Sequence, residues 1–149
     1  MERNTEVIRD LKGLMNILND GKEGYGVAGE ATTNTELNAL YLKYSVQRAG
    51  FAQELRDHIA EHGGKFENEQ SSSESLSAWL NVKKAISGKE DAAILGAIEI
   101  AENDAIEHYD SVMKNIEIHK DHIVLLQRQR TGILDALRKV EAYHQQLLK

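Results

Sequence analysis

No proline interrupts the 149 residues of this chain, so the backbone is free to run in long helices from one end to the other. Leu, Glu, Ala, Ile and Lys are abundant, and β-branched runs are scarce, which favours helix over strand. Four segments carry apolar residues at helical spacing. In the first, Val7, Leu11, Leu14, Leu18, Tyr25 and Ala28 form a stripe that starts near an N-cap candidate, Asn4. Asp20-Gly21 interrupts that stripe, and Gly24, Gly26 and Gly29 follow, so the helix either bends there or meets a close neighbour. A turn is predicted over 31–34, and Thr33 to Glu36 has capping-box spacing for the second helix. Leu37, Leu40, Tyr41, Tyr44, Phe51 and Leu55 mark its apolar side, and His62-Gly63-Gly64 is its stop.

A polar connection over 65–73 leads to a short helix with Leu76, Trp79, Leu80 and Val82, and Trp79 is its expected anchor in the core. Ser71 with Glu74, and Ser87 with Glu90, repeat the capping-box spacing. The third long helix carries Leu95, Ile98, Ala105, Tyr109 and Val112; the fourth carries Ile123, Leu126, Ile133, Leu137, Val140 and Leu147. Between them only Asn115, within 114–117, signals a stop. Without a turn there, the two would form one rod of about 90 Å and demand a partner chain. Two helical pairs joined by a long crossover define an all-α, ferritin-like four-helix bundle with a short crossover helix, here one domain over 1–149.

Charge and composition narrow the functions. The formal net charge of −6 and the absence of basic clusters argue against nucleic acid. No cysteine is present, which removes disulfides, thiol catalysis and cysteine–metal sites. No apolar run reaches membrane-spanning length, and Met1-Glu2-Arg3-Asn4 lacks the apolar core of a signal peptide, so a cytoplasmic location is expected. Serines cluster in the crossover away from any base, so nucleophilic catalysis has no support. The string from Gly24 to Gly29 matches Gly-x-Gly-x-x-Gly, but that motif needs a preceding strand, and close helix packing explains the glycines better.

What remains is polar chemistry on the apolar seams: Arg48, Glu54, His58 and Glu102. A buried charge needs a partner, so Glu102 is expected to pair with Arg48, joined by Gln47, Asn19 or Tyr25. Ferritin-like metal sites use a Glu on two helices and Glu-x-x-His on the other two. No complete set occurs, because Gln47, Arg48 and Phe51 spoil it in the second helix and Gln127 to Gln129 in the fourth. Glu23 and Glu102 are the carboxylates expected to face inward, as a polar cluster or as the remnant of an iron, manganese or zinc site. A second group of candidate ligands is His58, His62, His108, His119 and His122, which the topology brings towards one end of the bundle near Glu54, Glu61 and Glu117.

Three stretches carry a resemblance: Asp20 to Tyr25, Gln47 to Leu55, and Ala92-Ala93-Ile94-Leu95 leading to Glu99, Glu102 and Tyr109. They resemble small bacterial ferritin-like four-helix-bundle proteins classed as a domain of unknown function. The resemblance implies a ferritin-like bundle over nearly the whole chain and supplies no activity. Gln47 stands where many relatives would have Glu, which counts against a metal site in the core. The resulting expectation is a non-enzymatic, stress-related bundle protein that self-associates, as a dimer, or binds a protein partner. The alternative is a divalent-metal-binding oxidoreductase or metal-handling protein using Glu23, Glu54 and Glu102 or the histidines.

Overall fold

A computed structural model describes residues 2–64, 73–88, 90–115 and 120–148. They form five helices and no strand: α1 (Glu2–Ala31), α2 (Thr35–Glu61), α3 (Ser73–Ser87), α4 (Asp91–Asn115) and α5 (Lys120–Leu148). Among the described residues no helix is long and apolar enough to cross a membrane.

Local chemistry explains the ends. Asn34 caps α2, its side-chain oxygen accepting the Leu37 amide at 3.0 Å. The cap is therefore one residue later than the Thr33 capping box suggests, because the amide oxygen of Asn34 reaches the first turn directly. At the other end, Gly63 takes φ +90, the Gly64 amide donates to Ile59 O at 2.9 Å and the Gly63 amide to Ala60 O at 3.1 Å. This is a Schellman stop, which only glycine makes without strain. The first helix begins before Asn4, at Glu2. Ser87 does not cap α4: its hydroxyl donates back to Lys84 O at 2.7 Å and it is the last residue of α3. Leu80 and Leu147 are exposed rather than packed. The connection 65–72, with Ser71, lies outside the described residues, as does the segment 116–119.

Cross-helix bonds give the directions. Ser45 donates to Lys22 O and Asn38 to Gly29 O, so α1 and α2 are antiparallel. Arg130 with Asp110 and His144 with Glu99 do the same for α4 and α5, which form a hairpin and not a rod. Tyr25 with Glu102 and Thr32 with Asp91 set α1 antiparallel to α4, while Gln129 with Phe51 and His58 with His122 set α5 antiparallel to α2. Thus α1 and α5 run one way and α2 and α4 the other. The crossover helix α3 packs on α1 and α4.

The glycines of α1 belong to that contact. A Cβ on Gly24 would lie 2.3 Å from Trp79 Cε3, and one on Gly21 would meet both Trp79 and Arg48 at 3.2–3.3 Å. The helix is unbroken through this stretch, so glycine serves close approach and not a bend. Two apolar clusters result, one around Leu11, Leu14, Leu55 and Leu126, the other around Tyr25, Tyr41, Trp79 and Ile98. Arg48 and Glu102 lie between them in sequence on both α2 and α4, and both are buried.

Candidate functional site

Two polar constellations are built on this frame. The first is the layer between the apolar clusters. Arg48 Nη1 donates to Glu102 Oε1 at 2.6 Å and Nη2 to Oε2, a bidentate pair with both side chains almost wholly buried. Tyr25 Oη donates to Glu102 Oε2 at 2.6 Å, and the guanidinium also lies over the Tyr25 ring, 5.4 Å from its centroid. Gln47 Oε1 accepts from Arg48 Nε at 3.1 Å, and Gln47 Nε2 donates to Gly132 O at 3.4 Å. Each charge is thus neutralised and every nitrogen of Arg48 and both oxygens of Glu102 have a hydrogen-bond partner, the condition under which a buried pair is tolerated.

Beside it, Gln129, which sequence patterning passed over as part of a polar stretch, is fully buried. It accepts from Tyr109 Oη at 2.8 Å and donates to Phe51 O at 3.0 Å. Its signal was present, since a glutamine three residues after Leu126 and four before Ile133 shares their face. Three expected members fall elsewhere. Asn19 is exposed. Glu23 is exposed and pairs with Lys83 of α3 at 2.6 Å. Glu54 is turned outward to Arg128, at 2.7 Å and 3.2 Å. That contact, ahead of the opposing effect of burial, holds the Glu54 carboxyl below its ordinary value.

The di-metal centre implied by a ferritin-like fold fits this core poorly. Among the described residues the layer offers one carboxylate, Glu102, and a guanidinium and a phenol occupy both of its oxygens. A fixed cation at that distance repels a second, divalent one.

The second constellation lies where α2 ends and α5 begins. His58 and His62, one turn apart on α2, meet His122 of α5, and one ligand atom from each lies within 4.8 Å of the others. His58 Nε2 and His122 Nδ1 are 2.6 Å apart, and the three ring centroids are 4.5–4.8 Å from one another. His122 is buried, His58 and His62 half-buried, and Asp121 Oδ2 lies 3.3 Å from His62 Nε2. Burial, then the neighbouring His62, pushes the His58 imidazole below its ordinary value, against the pull of Asp121 and Glu61. Of the other candidates, His108 sits apart beside Asp104 at 3.5 Å, and His119 and Glu117 lie outside the described residues.

The buried tyrosines give a prediction. Burial, then the Glu102 charge, holds Tyr25 well above the usual tyrosine value, and burial raises Tyr41 and Tyr109 as well. Such a group stays neutral in the native chain while the unfolded chain ionises near pH 10. Its contribution is complete below about pH 10 and is lost as pH rises further towards the folded value. Thermal melts should therefore fall steeply above about pH 10. Tyr41→Phe should soften that fall at no cost at neutral pH, because Tyr41 Oη has no hydrogen-bond partner among the described residues. An unchanged alkaline slope in Tyr41→Phe would count against its burial.

Compared with known families, residues 6–115, which run from within α1 to the end of α4, include Tyr25, Gln47, Arg48 and Glu102 and stop before α5, match the model of a domain of unknown function, DUF2383. None of the curated proteins compared matches the chain. A match over most of the length, running through the residues that build the core layer, shows that this helical chain belongs to the DUF2383 family.

Proposed function

We propose that the chain is a cytoplasmic, ferritin-like bundle that is not an enzyme, and that its core layer is structural while its surface acts by self-association. The bidentate Arg48–Glu102 pair carries this reading, because it fills the position where such a bundle would need several free carboxylates. The helix directions support the ferritin-like part: two antiparallel pairs joined by a crossover helix laid along α1 and α4. For self-association the support is apolar side chains left on the outside of α2. Leu42 is 46% exposed and Val46, one turn on, 72%. Large exposed aliphatics adjacent on one helix face suit a contact between copies.

Sedimentation equilibrium tests it. Wild type is expected to form a dimer that Val46→Glu converts to monomer, with both proteins equally helical by circular dichroism. A wild type that stays monomeric at high concentration would remove self-association. Iron-dependent oxidase activity that survives in the purified chain and is lost in Glu102→Gln would overturn the structural reading of the core. The alternative, a divalent-metal-handling protein, is favoured by one observation, the three histidines, and it concerns the end of the bundle and not its centre.

A further inference from the structure

We propose that His58, His62 and His122 form a binding site for one first-row divalent ion of the zinc type, which clasps the last turn of α2 to the first turn of α5. This goes beyond the closed-core reading and does not depend on it.

The geometry is close to what such an ion requires. With Zn–N bonds of about 2.0–2.1 Å, the nitrogens of a tetrahedral site lie about 3.3–3.4 Å apart. The three histidine donors span the range around that value, from the 2.6 Å contact between His58 and His122 up to 4.8 Å. Shifts of about 1 Å, within reach of ring rotations, would equalise them. Two donors come from positions one turn apart on a single helix face, and the third from a helix that packs antiparallel to it. The placement of His62 is held by the Schellman stop, since it is the C-cap residue directly before Gly63.

Charge and donor type point the same way. Neutral imidazole is a good ligand for such ions, and three imidazole rings with centroids under 5 Å apart bring three such donors to one place. The Asp121 carboxylate, beside His62 and outside the three-histidine set, supplies a nearby negative charge and an orienting acceptor. A nitrogen-rich set favours Zn(II), Ni(II) or Cu(II) over Mg(II) or Ca(II), which prefer oxygen. The site reaches solvent on the α2 side, where the His62 side chain is 23% exposed and His58 is half-buried, whereas His122 is buried.

The test uses tag-free full-length protein, metal-free at the start, titrated with Zn(II) and separately with Co(II). One Zn(II) per chain is expected, with a rise in Tm of about 5–10 °C when zinc exceeds its Kd by 100-fold. Co(II) should give the strong visible bands of a tetrahedral nitrogen site, and Mg(II) should give no change in Tm. His62→Ala, at a half-buried position just past the end of α2, should weaken zinc by at least about 100-fold and abolish the cobalt bands. His58→Ala should do the same, and His108→Ala, a histidine far from the cluster, should leave both readouts unchanged. Zinc bound equally well by His62→Ala and by wild type would assign it to scattered surface histidines and overturn the proposal, as would wild type that binds no zinc.

Discussion

Arg48→Met alone is expected to destabilise the protein by about 3–5 kcal/mol, because it leaves the Glu102 carboxylate buried without its counter-charge. Among the described residues Glu102 would keep only Tyr25 as a hydrogen-bond partner. Glu102→Leu should cost a comparable amount, since it strands the guanidinium and removes the acceptor of the Tyr25 hydroxyl. The double variant should lose far less than the two losses added together, and be close to wild type if Met and Leu fill the space. Replacing a whole buried pair by apolar side chains is often neutral or stabilising, whereas breaking one half is not. Urea unfolding of the four proteins measures the coupling directly. Additive losses would mean that the two residues do not depend on one another, and would sink the description of the layer as an ion pair.

Trp79→Ala should cost about 3–5 kcal/mol, as for other large buried aromatics. The residue is 2% exposed, and its ring lies tilted at 5.3 Å from the Tyr25 ring and covers Gly21 and Gly24. It is also the anchor of α3 on α1, so its loss should free the crossover helix as well as hollow the core. Gly24→Ala gives the complementary experiment. Alanine is favoured over glycine in a helix by about 1 kcal/mol. A methyl 2.3 Å from Cε3 of a buried indole cannot be accommodated without displacing it, at a cost of about 1–3 kcal/mol, so the net effect should be a loss. In the Trp79→Ala background the same substitution should become stabilising, because the obstructing ring is gone. Gly13→Ala is the control: its Cβ would meet nothing within 4 Å, so it should stabilise by about 0.5–1 kcal/mol in either background. Hydrogen exchange on α3 would show whether the helix loosens with the anchor.

Much of this architecture is legible from the residues. The apolar stripes, the missing prolines, the Asn34 region and the Gly63-Gly64 stop are local signals, and local signals decide where a helix forms and ends. The pairing of Arg48 with Glu102 is also legible, because each is a charge on an otherwise apolar stripe and a buried charge needs an opposite one. Periodicity, however, places a residue on a face of its own helix and says nothing of what stands opposite. Glu23 and Glu102 both looked inward-facing by that criterion, yet the glycines of α1 admit Trp79, and this packing leaves Glu23 at the rim beside Lys83. Glu54 and Gln129 are both polar residues on the α2–α5 seam, and only the relative rotation of the helices sends one outward to Arg128 and the other into the core. The same holds for the histidines. Spacing brought five of them towards one end of the bundle, but the axial offset of α5 against α2 decides that His122 reaches His58 and His62, while His108 stays outside the cluster beside Asp104 of its own helix. The sequence by itself determined the helices, their ends and the need for charge neutralisation, all of which are set within a few residues along the chain. Helix offset and rotation are set by the summed packing of five helices, and so the tertiary structure alone decided which polar groups meet.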